Sequence, residues 1–311
     1  MFAPLFLLLL PVAAEFTPHF WQFLVENYGE EVAVRLERRE LGAVGSFGGC
    51  EDDCAEWPTG RNDSSARLRP VVFVPPASAH VDVFWNHSAF FRSRLSGGEL
   101  FASAYPDEFE VSCANARHVR QLIVAVHEYT RSPVGLLAAS MGTAVARKAV
   151  LGGGCAEDGE QLGGPLTPLV HTFVAVDPVG FGLQDCGRVG RLTGDRRMRR
   201  FCDLRTGLAP TSAVMKDING QPTRFEARRS FAVHSTRDEV VGRECGGGRV
   251  CSALRHATAT FTRPSLAHIW LTRRELHLPL SLLTEDFLEE NFRVARSCGF
   301  RVQIGEEEGR R

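Results

Sequence analysis

The chain has 311 residues, 44% hydrophobic and 23% charged, with a formal net charge of −1. That is the composition of a globular protein with room for one large domain or two small ones, and its near-zero charge gives no electrostatic case for nucleic acid or an anionic membrane surface. Residues 1–14, MFAPLFLLLLPVAA, read as a signal peptide: Leu5 to Leu10 is a compact apolar core and Val12-Ala13-Ala14 offers small residues for cleavage before Glu15, although a positive flank is missing. This run is too short to span a bilayer and no other stretch is long enough. The expectation is a secreted, extracellular protein with no transmembrane segment. The 9 cysteines agree with that compartment. None forms a C-x-x-C pair and no histidine cluster accompanies them, so no metal site is expected. Cys50 with Cys54 and Cys245 with Cys251 are plausible local disulfides, and Asn62 and Asn86 open N-x-S glycosylation triplets.

Thr17-Pro18 reads as an N-cap followed by proline at the first helical position. Phe20, Phe23, Leu24 and Tyr28 then recur at helical spacing, and a second amphipathic helix is expected over Glu31–Leu41. Residues 45–68 are dense in Gly, Asp, Ser and Pro and read as loop. Pro70–Val74 is the first buried strand, and Pro75-Pro76-Ala77-Ser78-Ala79 follows it. A helix is expected over Ser88–Leu100, a strand over Glu99–Tyr105, and a helix over Ala116–Thr130 with Val119, Leu122, Ile123 and Val126 inward. Val134–Ala138 is a further buried strand and Gly142–Val150 a helix, with Arg147-Lys148 near its end, where cations suit the macrodipole. His171–Val176 and Arg229–Ser235 are strands that end near Asp177 and Asp238. Residues 186–213 are basic and irregular and read as solvated loop. Leu280–Phe292 looks helical within a C-terminal extension, 280–311, whose last residues should fray. Buried strands alternating with helices argue a mostly parallel sheet with helices on both faces, as one α/β domain over 15–311.

Between the strand and helix around residue 140 stands Ala138-Ala139-Ser140-Met141-Gly142. This is the G-x-S-x-G nucleophile elbow with its first Gly replaced by Ala. A strained turn needs neighbours without bulk, and Ala is the next smallest choice. The turn would raise the Ser140 hydroxyl above the sheet edge and aim the Met141 N–H toward a developing oxyanion. The loop after the first buried strand supplies the other donor in such folds. Proline has no N–H, so Ala77 is the candidate there. Serine needs a base, and the base needs a carboxylate to fix its tautomer. Ser140, Asp238 and His268 occur in the chain order of the α/β-hydrolase triad, the last in an expected loop. Asp177 also follows a strand and competes with Asp238, which is preferred. His127, His171 and His256 are weaker base candidates.

Several separated stretches together resemble the secreted class 2 lipases, as expanded in nematodes and related to small bacterial lipases with an A-H-S-M-G elbow. They are FTPHF at 16–20, ENYG at 26–29, GSFGG at 45–49, PVVFV at 70–74, the elbow with its helix, and DEVVG at 238–242. The resemblance covers Phe16 to about Leu271. It implies an α/β-hydrolase fold, a Ser140–Asp238–His268 triad, Met141 and Ala77 as oxyanion donors, no metal or organic cofactor, and a lipid or ester substrate met at most transiently at a lipid interface. The Asp177-Pro178 context looks instead like the acid site of pancreatic-type lipases. Two departures stand out: Pro75-Pro76 replaces the family's His-Gly, and Ala139 replaces the His before the nucleophile. The expected function is a secreted carboxylic ester hydrolase acting on triacylglycerol through an acyl-enzyme. The alternative is a catalytically weakened homologue that binds lipid or a protein partner.

Overall fold

The computed structural model describes residues 15–49, 69–94, 99–284 and 288–305. The expected signal peptide, the Cys50–Cys54 pair, Asn62 and the last six residues lie outside the described residues.

The chain opens with α1 (Pro18–Tyr28) and α2 (Glu30–Glu37). Thr17 Oγ1 accepts the Phe20 N–H at 3.4 Å and caps α1. The second helix stops short of the expected Leu41 because Arg38 turns left-handed (φ 56°). The Arg38 guanidinium donates to the Ala104 carbonyl at 2.8 Å, a long-range bond that local periodicity does not encode. A 3₁₀ turn over Arg39–Val44 follows, then β1 (Ser46–Phe47), inside the stretch expected to be loop. Two residues carry no alternation to read. Pairing with β3 (Leu100–Ser103) makes them a strand.

The remaining elements are β2 (Val71–Val74), α3 (Trp85–Arg94), α4 (Cys113–Thr130), β4 (Val134–Ala139), α5 (Met141–Leu151), β5 (Val170–Val176), α6 (Arg188–Thr193), α7 (Ala213–Asn219), β6 (Arg229–Ser235), β7 (Ala259–Arg263), α8 (His268–Arg274), α9 (His277–Thr284), α10 (Leu288–Ser297) and β8 (Arg301–Ile304). The helix expected over Ser88–Leu100 begins earlier, at Trp85, because a 3₁₀ turn over Val81–Phe84 feeds it. The strand expected to reach Tyr105 ends at Ser103, where the Ala104 N–H leaves the ladder for the Gly45 carbonyl at 2.7 Å. The stretch over 186–213 is not plain loop. It holds α6 and a 3₁₀ turn over Arg196–Cys202. The tail also adds more than a helix, since β8 pairs antiparallel with β7.

Among the described residues the sheet has eight strands in the order β1-β3-β2-β4-β5-β6-β7-β8, parallel except for β1 and β8 at the edges. Helices cover both faces. The chain steps outward from β2 to β3, then returns across β2 to β4 and continues the other way. The winding therefore reverses between β2 and β4, and the carboxyl ends of strands at such a reversal frame a crevice. Ser140 leaves β4 at that crevice and the Pro75-Pro76 loop leaves β2 beside it.

Phenylalanine fills the interior. Phe20, Phe73, Phe84, Phe91, Phe101, Phe173, Phe231 and Phe261 are all fully buried. Each such side chain contributes roughly 1.5–3 kcal/mol relative to exposure, so the excess of phenylalanine over tyrosine reflects core packing. Arg147 and Lys148 are interior side chains, not surface charges tuned to the macrodipole. Arg147 is 1% exposed and reaches Glu226 Oε1 at 2.8 Å. Lys148 is 2% exposed and donates to Asp217 at 2.7 Å and to the Gly152 carbonyl at the end of α5 at 2.9 Å. The residues are charged because they tie α5 to the segments wrapped around it.

Candidate active site

Ser140 sits between β4 and α5 at φ 51°, ψ −124°. Such a conformation costs a non-glycine residue of order 1–3 kcal/mol and persists only where its surroundings enforce it. Here the Ser140 N–H donates to the Val176 carbonyl at 3.0 Å, and its own carbonyl accepts from Thr143 N–H at 3.0 Å and Val179 N–H at 3.3 Å. Gly142 explains the small residue two places on. A Cβ there would lie 2.2 Å from the Pro75 carbonyl oxygen and 2.6 Å from that of Val74. The start of α5 thus rests directly on the backbone where β2 runs into its loop.

His268 Nε2 lies 2.9 Å from Ser140 Oγ, and Nδ1 lies 2.7 Å from Asp238 Oδ2. All three residues are buried. Asp238 Oδ1 accepts the N–H groups of Val240 at 2.9 Å and Val241 at 2.8 Å, which orients the side chain. A carboxylate acceptor at Nδ1 assigns the proton to that nitrogen and leaves Nε2 to accept from the serine hydroxyl. His268 is the first residue of α8, where a loop was expected. The cap residue, Ala267, has no side-chain acceptor, and Glu239 Oε2 accepts the His268 N–H at 3.1 Å instead. A cap drawn from a distant loop leaves no local sequence signature.

Asp177 is close by but differently engaged. Its Oδ2 accepts from Thr272 Oγ1 at 3.1 Å, its buried Oδ1 has no hydrogen-bond partner, and burial pushes its carboxyl well above the usual range. Through Thr272, Asp177 holds α8 one turn beyond His268. Burial by itself pushes His268 down. The hydrogen bond to Asp238 and the charges around the ring outweigh it and lift the imidazole above its ordinary value. Asp177, Asp238 and His268 place ligand-type atoms within 4.8 Å of one another, as do Cys113, Cys155 and Glu157. In the first group His268 Nδ1 and Asp238 already share a hydrogen bond, and in the second Cys113 and Cys155 are a disulfide.

Ala77 and Met141 line the same cavity as Ser140 and His268, with a volume of about 200 Å³. Met141 N–H, at the first position of α5, has no carbonyl four residues back in its helix. The diproline loop before Ala77 is braced by a residue that sequence reading missed. The Tyr105 hydroxyl lies 2.9 Å from the Pro75 carbonyl and 2.8 Å from the Pro76 carbonyl, with the ring fully buried. Ser78 N–H donates to the Glu108 carbonyl at 2.9 Å. Tyr105, Thr272 and Glu239 carry no motif, so only their three-dimensional neighbours reveal them. A larger cavity, about 790 Å³, lies along β6 to β8 beside His234, Arg243 and Arg249 and contains none of the three clustered residues. The arrangement offers a hydroxyl with a base in line and a carboxylate behind the base, in a cavity that Ala77 and Met141 also line. It can attack a carbonyl carbon.

The profile of the family described as Lipase (class 2) matches residues 68–274. No curated protein matches the sequence. Among solved structures, the mature Bacillus licheniformis lipase BlEst2 is similar, at 14% identity and TM-score 0.53, covering 77% of this chain and 98% of that one. Aspergillus fumigatus lipase B is similar at 14% identity and TM-score 0.53, covering 78% of this chain but 59% of that one. At such identities the likeness is one of fold.

Proposed function

This chain belongs to the class 2 lipase family and is a lipid ester hydrolase, and we propose that it works as a secreted serine hydrolase of carboxylic esters, triacylglycerol among them, with Ser140 as nucleophile. The observation that carries the reading is the continuous hydrogen-bonded line from Ser140 Oγ through His268 to Asp238. Ser140 attacks the ester carbonyl while His268 Nε2 takes its proton. The imidazolium so formed is stabilised by Asp238 and returns the proton to the leaving alkoxide. The tetrahedral oxyanion is received by the N–H groups of Met141 and Ala77. Water, activated by His268, then releases the acyl group from Ser140. The disulfides support secretion, because such bonds persist in oxidising compartments.

Pro75-Pro76 bears on the alternative of a weakened homologue, since losing one oxyanion donor costs roughly 10²–10³ in rate. The Tyr105 brace supports the active reading: a buried phenol aimed at both proline carbonyls fixes a loop that glycine would leave to vary. The test is labelling of the purified protein with a fluorophosphonate beside a Ser140→Ala control. Label on the wild type alone supports an activated Ser140. No label on a folded wild type returns the protein to a lipid-binding or partner-binding role.

A further inference from the structure

We propose that the acyl site is short, and that a disulfide-stapled cap makes it so, which restricts the enzyme to esters of short-chain acids. This rests on the ester-hydrolase reading of Ser140. The cavity at Ser140 holds about 200 Å³, below the ~300–1,000 Å³ usual for drug-sized ligands. At roughly 30 Å³ for each heavy atom, the share of one water in the liquid, it receives about seven heavy atoms. That is an acyl group of about four to six carbons. Its wall is mostly apolar, with Val83, Val179, Leu183, Leu208, Met198 and Phe201, beside the polar His80, Asp82 and Arg273.

Met198 and Phe201 are part of that wall, and they come from a segment that leaves the core after β5 and is closed on itself. Cys186 and Cys202 are bonded with Cα atoms 5.3 Å apart, so the excursion is tied at its base. Phe201 is 4% exposed and packs edge-on against Phe109, with ring centroids 5.8 Å apart. The Phe201 carbonyl accepts the Leu208 N–H at 2.7 Å. Arg197 and Arg200 reach Glu108 and Glu110 at 2.9 and 2.8 Å, on the loop after β3. Exposed ion pairs of this kind add little by themselves. The disulfide and the buried ring fix the cap, and the two pairs set its register on that loop. A longer chain would have to displace Phe201 from the core or run out over the surface without gaining contacts.

The experiment is kcat/KM for the p-nitrophenyl esters from acetate to palmitate, on the wild type, Phe201→Ala and the Cys186→Ser/Cys202→Ser double variant. The wild-type maximum is expected at butyrate to hexanoate, with a clear fall by decanoate. Phe201→Ala should move the maximum to longer chains and raise the decanoate-to-butyrate ratio by roughly tenfold or more, the scale on which apolar pockets discriminate methylenes. The double variant should move it in the same direction. If Phe201→Ala does not fold, Met198→Ala carries the same expectation. A wild-type maximum at octanoate or beyond, or a profile unmoved in a folded cap variant, overturns the inference while leaving the ester-hydrolase reading intact. Absence of both ester hydrolysis and fluorophosphonate labelling removes the two together.

Discussion

His268 stands near two carboxyl groups that are differently engaged. Asp238 is bonded to Nδ1, whereas Asp177 is bonded to Thr272 and burial pushes its carboxyl well above the usual range. The carboxylate bonded to Nδ1 orients the imidazole and stabilises the imidazolium, so Asp238 is the working acid of the proposed triad. The sign of the pH dependence follows. His268 must be neutral to accept the Ser140 proton, and its pKa is raised, so activity is present on the alkaline side and is lost as pH falls through a value above 6.5. Asp238→Asn should move that acid limb downward and lower kcat by about 10⁴, the penalty when a triad carboxylate becomes an amide. Asp177→Asn leaves the Asp238–His268 bond in place and touches only the bond to Thr272. It should stay within about tenfold of the wild type, the scale of one neutral hydrogen bond at ~1 kcal/mol. Rate profiles against pH for the two variants check both expectations, and an Asp177→Asn collapse with Asp238→Asn spared would reverse the assignment. The sequence placed both aspartates after strands and preferred Asp238. It could not show which of them bonds His268, which depends on how each carboxyl is packed and what donates to it.

At the scale of elements, the junction of β4 and α5 is set by contact with β2. A methyl group on Gly142 would meet the Pro75 carbonyl at 2.2 Å, and the opposing atom is backbone. Gly142→Ala should therefore push α5 off the diproline loop and separate Ala77 from Met141. The expected outcome is a loss of kcat of roughly 10²-fold or more, as for a lost oxyanion donor. Stability should fall by about 1–3 kcal/mol, the usual effect of overpacking. Ester kinetics and urea unfolding measure these separately, and an active, equally stable variant would show that the contact does not position the loop. The elbow itself was legible because a strand, a small-residue turn and a helix are local patterns. α8 was not, because its cap comes from Glu239. β1 and β8 were not, because short edge strands take their conformation from the partner they pair with.

For the molecule as a whole, three disulfides close different regions: Cys113–Cys155, Cys186–Cys202 and Cys245–Cys251, with Cys298 free among the described residues. The first spans 42 residues, from the start of α4 to the loop after α5. By loop-closure entropy a bond of that span contributes about 4 kcal/mol, and engineered removals often show less. Cys113→Ser with Cys155→Ser should lower the unfolding free energy by about 2–4 kcal/mol in urea titration. An unchanged midpoint would mean that the α4–α5 packing holds these segments without it. Of the three, only Cys245–Cys251 was foreseen, because six residues apart is a local relation.

The sequence by itself determined the alternation of buried strands and helices, the elbow at Ser140, and the order of Ser140, Asp238 and His268. Each of these is written in periodicity or in short motifs, which depend on neighbours along the chain. The tertiary structure decided what depends on neighbours in space. It bonded Asp238 to His268, turned Asp177 to Thr272 beside them, and set Tyr105 under the prolines. It also stapled a basic segment with Cys186–Cys202 and brought its Met198 and Phe201 to the cavity that Ser140 lines. Burial and long-range hydrogen bonds fix these choices, and neither exists until the strands have been brought side by side.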